Sequence, residues 1–188
     1  FTSALLAAGR PKEAIAVAER SVAAAPGDAD ARYNLGRALQ EQGDLPGARQ
    51  AYRRAIEAAP GSARAWTNLG AVELMLGEYG TAADSSERAL HLAPRALPAA
   101  MNLGLALLSI PGEHARAAGA FRRVLALRPQ DHEARFYLAA ALESGGNCAA
   151  ALAEYRAVAG APAREFGAAL PLRARAAAKV EELGQSRK

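Results

Sequence analysis

Asn34-Leu35-Gly36, Asn68-Leu69-Gly70 and Asn102-Leu103-Gly104 are the same three residues met at a constant step of 34. A fourth copy, Tyr137-Leu138-Ala139, arrives one residue late and keeps only the leucine. Other landmarks move in phase. Pro26, Pro60, Pro94 and Pro129 close successive units, and Gly9, Gly43, Gly77, Gly112 and Gly146 sit in their middles. Ala14, Ala48, Ala82, Ala117 and Ala151 each follow a central glycine by five residues. A fixed period of this size marks a repeat architecture, in which each unit is one supersecondary element that buries its apolar face against its neighbours.

Within each unit the apolar residues recur at helical spacing. In the second unit Tyr33, Leu35, Gly36 and Leu39 mark one helix, and Ala48, Tyr52, Ala55 and Ile56 mark the next. The central glycine ends the first helix, because glycine takes the left-handed conformation without steric cost. The proline ends the second helix and fixes the entry to the next unit. Each unit is therefore predicted to be two antiparallel helices. Glycine or alanine after the leucine, and alanine five residues past the central glycine, let the two approach closely. Tyr52, Phe121 and Tyr155 are predicted to fill the space between units, with Ser86 a smaller filler in the third unit that Trp66 offsets.

The boundaries follow: a partial first unit at 1–28, whole units at 29–62 and 63–96, and one at 97–131 with an extra residue near Ile110-Pro111. A degenerate last unit occupies 132–162, broken by Gly160-Ala161-Pro162. Phe1 aligns with Leu35, Leu69 and Leu103, so the first unit lacks its opening turns. Residues 163–188 leave the repeat register but stay helical in pattern. Leu172, Ala176, Val180 and Leu183 form one stripe, with Pro171 kinking the segment or starting a helix, and Gln185 to Lys188 fraying. This segment is expected to cap the array with a polar outer face.

Composition bounds the function. Alanine is roughly a quarter of the chain and aromatics only 5%, which suits helices packed through small side chains. The net charge is +4, of which +3 falls after residue 162, so a basic body for gripping nucleic acid is not indicated. Only Lys12, Lys179 and Lys188 among 23 basic residues are lysines, a skew that points to a GC-rich bacterial genome. The single cysteine, Cys148, excludes an internal disulfide and a cysteine metal cluster. No apolar run reaches the length of a membrane span. The cytoplasm is expected ahead of the periplasm, and no signal peptide is visible in the sequence. No phosphate loop, nucleophile elbow or zincin motif is present, so no catalytic residue, metal site or cofactor is expected. His91, His114 and His132 share no ligand spacing and are expected at the surface or in turns. Cys148 is expected to be a half-buried small apolar residue, at the register of Leu45 and Tyr79.

The pattern resembles the tetratricopeptide repeat family. It does so in Trp66, the Leu-Gly pairs, the central glycines, the alanine series, the Tyr/Phe series and the closing prolines, from Phe1 to Gly160. The resemblance implies an all-α, right-handed superhelical solenoid whose first helices line a concave groove. It also implies a non-catalytic scaffold that binds a peptide or protein segment there. On that inner surface it places Asn34, Asn68 and Asn102, whose carboxamides offer a donor and an acceptor to the backbone of an extended peptide. The alternative is that the asparagines only bond a neighbouring helix. Tyr33, Arg37 and Arg64 are expected at the N-terminal part of the groove, Met101 and Leu105 in the middle, and Phe136 and Tyr137 at the C-terminal part. Together they suit a ligand with a hydrophobic anchor and some acidic character. Capture of a C-terminal carboxylate is disfavoured around Pro98 and Asn102, where cations are missing, and Arg37 and Arg64 leave it open. Three other readings stand beside this one: a targeting module of a larger enzyme such as a glycosyltransferase, an envelope or pilus assembly factor, and self-association through the truncated first unit.

Overall fold

The computed structural model describes residues 2–166 and 170–185. Phe1, positions 167–169 of the expected cap and the terminal 186–188 lie outside the described residues. Every regular element among the described residues is helical. In order these are α1 (Thr2–Ala7), α2 (Pro11–Ala24), α3 (Ala29–Gln42), α4 (Leu45–Ala58), α5 (Ala63–Met75), α6 (Tyr79–Leu92), α7 (Leu97–Leu108), α8 (His114–Leu127), α9 (His132–Ser144), α10 (Cys148–Gly160) and α11 (Leu170–Gln185), with a 3-10 turn at Ala163–Glu165. Two compact units divide at Asn102/Leu103, inside α7.

The local causes repeat as the sequence does. Gly43 ends α3 at φ 89°, and its N–H bonds back to the carbonyls of Gln40 and Leu39. A side chain there would meet the left-handed penalty of about 1–2 kcal/mol. Gly9, Gly77, Gly112 and Gly146 also take positive φ, between 69° and 86°. Ahead of the four closing prolines, Ala25, Ala59, Ala93 and Arg128 have φ from −139° to −135° and ψ from 78° to 86°. The proline ring drives the residue before it off the helical region, so each second helix stops at the same place and the chain leaves at the same angle. Asp28, Ser62 and Asp131 accept a backbone N–H at the start of α3, α5 and α9, satisfying donors the helix leaves open.

In the first unit α1 packs on α2 and α3, and α2, α3, α4 and α5 each pack on the helix that follows, with α3 also touching α5. Its centre is Ala48, Tyr52, Ala55, Ile56, Ala65, Leu69 and Val72, with Trp66 packed against them. A Cβ on Gly36 would lie 2.7 Å from the Tyr52 ring, so the glycine is what lets α3 and α4 close on a buried aromatic. Ser86 is fully buried with its hydroxyl unpartnered. Trp66 packs against the Tyr52 cluster, and its Nε1 donates to the Pro60 carbonyl at 3.0 Å.

In the second unit α8, α9, α10 and α11 pack in sequence, and α11 also touches α9. The relation of α11 to α10 and α9 is the one α5 has to α4 and α3. Pro171 falls in the first turn of α11, where its missing N–H costs nothing. Leu172 and Ala176 of the expected stripe are buried. Residues 163–165 form a 3-10 turn rather than the start of a longer helix, since Pro162 holds Ala161 extended at φ −68°, ψ 147°. Phe166 is buried against His132 with ring centroids 4.4 Å apart, and Glu165 Oε2 lies 3.2 Å from His132 Nε2. His132 is thus 8% exposed, not the surface residue expected: the segment after the last repeat covers it. Cys148 is exposed instead of half-buried. It opens α10 just after the cap Asn147, and at that register Tyr79 is also 39% exposed.

Tyr52 and Tyr155 hold their hydroxyl pKa values above the ordinary 10.0, burial being the larger cause and, for Tyr155, the bond to Glu143 the next. The unfolded chain loses these protons first. The stability they contribute is therefore complete below about pH 10 and falls as pH rises towards the folded values. A titration of urea midpoints is expected to stay level to about pH 10 in this respect and then drop, with Tyr52→Phe showing a smaller drop.

Candidate functional site

Helix α5 presents Arg64 and Asn68 on one face, four residues apart. Beside them stands Tyr33 of α3. Arg64 lies over the Tyr33 ring, 5.2 Å from its centroid, and its guanidinium is 3.3 Å from Asp30. Asn68 Nδ2 donates to the hydroxyls of Tyr33 (3.1 Å) and Tyr52 (3.2 Å), and Tyr52 donates in turn to Gln40 at 2.8 Å. Both amide hydrogens of Asn68 are thus used in setting its orientation, and its Oδ1 remains as an acceptor. These residues border a hollow of about 280 Å³ completed by Ala63, Thr67, Ala93, Ala96 and Pro98. Its floor is small and apolar, and its rim carries one guanidinium and one oriented amide.

The other expected site residues fall elsewhere. Asn102 Nδ2 donates to the Thr67 carbonyl at 3.1 Å, so it bonds the neighbouring helix α5. Asn34 is half-buried on α3 and does not border the hollow. Of the three asparagines, Asn68 lines this hollow and Asn34 and Asn102 do not. Arg37 donates to Ser3 Oγ at 3.1 Å, which ties α3 to α1. Met101 is half-buried on the first unit's part of α7.

In the second unit Leu105 and Tyr137 are half-buried, Tyr137 stacked on Phe121 with centroids 5.8 Å apart. Phe136 corrects an expectation. It is 4% exposed, edge-on to Tyr137 and Tyr155, and Arg175 of α11 lies 4.7 Å over its ring. Its faces are filled by packing, with α11 lying against α10 and α9.

Sequence reading missed Glu73. This carboxylate is 1% exposed, held by Ser85 Oγ at 2.6 Å and Arg53 at 3.2 Å. The signal was available in the register: Glu73 stands where Leu39, Leu107 and Leu142 stand in the sister units.

Helix pairs closed by glycine, alanine and proline at a 34-residue step define a helical repeat protein. Family profiles described as "Tetratricopeptide repeat" match residues 5–71 and 112–168, and the chain belongs to that family. Solved structures agree on the fold. The crystal structure of a MamA protein is 24% identical, covering 82% of this chain and 84% of that one, with a TM-score of 0.76. TTC0263, a thermophilic TPR protein of Thermus thermophilus, is 25% identical over 95% of each chain, with a TM-score of 0.67. YrrB, a TPR protein with an unusual peptide-binding site, is 19% identical over 82% of this chain and 79% of its own, at a TM-score of 0.73. No curated protein sequence matches the chain. Among the described residues no helix is long and apolar enough to cross a membrane.

Proposed function

We propose that the chain is a non-catalytic scaffold that binds a peptide or protein segment on the first-helix face of its first unit. The repeat family and its structural neighbours support a protein-interaction scaffold. The observation that carries the finer reading is the hollow in which Tyr33, Arg64 and Asn68 come together over an apolar floor. Asn68 Oδ1 accepts a backbone N–H of the ligand. Ala63, Ala93, Ala96 and Pro98 receive a small apolar side chain, and Arg64 pairs with a nearby carboxylate. Arg64 is well exposed, so its link to Asp30 is worth little and yields to a ligand carboxylate.

Peptide display against the whole chain tests this. Selected sequences are expected to pair an apolar residue with an adjacent Asp or Glu. Arg64→Glu is expected to weaken them about tenfold, the worth of one charge-assisted hydrogen bond, while Arg20→Glu on α2 leaves them unchanged. Equal affinities for Arg64→Glu and wild type would remove this hollow from the binding surface.

A further inference from the structure

A second concavity lies in the first unit, between the second helices α4 and α6, with α5 beneath. Its volume is about 490 Å³. Ile56, Trp66 and Leu69 give it apolar walls, and Glu57, Asp84 and Glu73 bring three carboxylates, against Arg53 and Arg88. On α5 the residues concerned are Trp66, Leu69 and Glu73, at i, i+3 and i+7. They share one face, turned roughly opposite to that of Arg64 and Asn68. The slot is therefore distinct from the hollow described above and does not rest on the reading given to it.

Glu73 is what sets this slot apart. Leu39, Leu107 and Leu142 show that the register takes leucine, while Ser85 stands where Ala51, Ala120 and Glu154 stand. Only in the repeat 63–96 are both members of the pair polar. A buried carboxylate generally gives less stability than a well-packed apolar side chain, so packing alone does not account for it. Ser85 and Arg53 supply two hydrogen bonds, and Arg53 reaches Glu73 from a half-exposed position. A carboxylate has about four acceptor sites, so Glu73 retains capacity for a further donor.

We propose that this slot receives an arginine side chain presented by a protein partner. The aliphatic stem lies along Ile56 and Leu69. The guanidinium stacks on Trp66, as flat cations do on indole, and its planar fork meets Glu73 at the floor and Asp84 at the rim. The fork geometry favours arginine over lysine. Arg53 already makes one such contact to Glu73 from within the chain, which shows that a guanidinium reaches this carboxylate.

Trp66 is the sole tryptophan, so intrinsic fluorescence reads the slot directly. The probe is a blocked pentapeptide of four alanines around one arginine, compared with peptides carrying citrulline or glutamate at that place. Citrulline keeps the shape of arginine and lacks its charge. The arginine peptide is expected to shift Trp66 emission saturably, with the citrulline peptide about tenfold weaker. Glu73→Gln, which keeps the size of the side chain, is expected to weaken the arginine peptide by a similar factor. Glu73→Leu with Ser85→Ala copies the repeats at 29–62 and 97–131. It is expected to abolish the response and raise the melting temperature by about 2–4 °C or more. No saturable shift in wild type, equal binding of arginine and citrulline, tighter binding of glutamate, or binding that survives Glu73→Gln would each overturn the proposal.

Discussion

Tyr52→Ala is expected to destabilise the first unit by about 3–5 kcal/mol, the usual loss for truncating a large buried aromatic. The side chain is wholly buried and sits at the centre of the α3–α4–α5 cluster. Two effects add. The ring leaves a void against Gly36, whose missing side chain is what admitted it. The hydroxyl also links Gln40 to Asn68, and both lose a partner. Tyr52→Phe isolates the second effect and is expected to cost only about 1 kcal/mol. Urea unfolding followed through Trp66, which packs on the same cluster, measures both. A loss under about 1 kcal/mol for Tyr52→Ala would mean that this aromatic does not anchor the unit.

Gly104→Val should produce the second large effect, in the second unit. A Cβ at Gly104 would come within 2.5 Å of Phe121, whose ring is fully buried and has nowhere to move. Valine improves helix propensity over glycine by a few tenths of a kcal/mol. Overpacking of about 1–3 kcal/mol outweighs that gain. Phe121→Ala alone is expected to cost about 3–5 kcal/mol. Combined, the two changes should cost less than their sum by at least about 1 kcal/mol, since the truncated ring makes room for valine. Additive costs would show that the glycine is not there to admit the ring. The repeat 63–96 carries the milder form of the same contact, Gly70 facing Ser86.

The repeat register made the fold legible because its constraints are local. A left-handed turn at Gly43 and a pre-proline stop at Ala59 depend on the residue and its neighbour, so sequence reveals them. What escaped depends on residues outside the register. His132 is buried by Phe166, and Phe136 is covered by Arg175, both from beyond the last repeat. The recurrence of the asparagines at a constant step suggests a row. Their hydrogen bonds differ because their neighbours differ: Asn68 finds two tyrosine hydroxyls, whereas Asn102 finds only a backbone carbonyl. Glu73 was missed for the opposite reason. It does not recur: it is a carboxylate where the sister repeats carry Leu39, Leu107 and Leu142.

The most direct measurement of the scaffold role is a chemical-shift map of the isotope-labelled chain with a display-selected acidic peptide. Shifts in the side-chain amide of Asn68 and in the backbone of Arg64 and Thr67, absent with a peptide whose acidic residue is neutralised, are the expected result. Shifts confined to α4 and α6, or spread evenly along the chain, would contradict binding on the first-helix face.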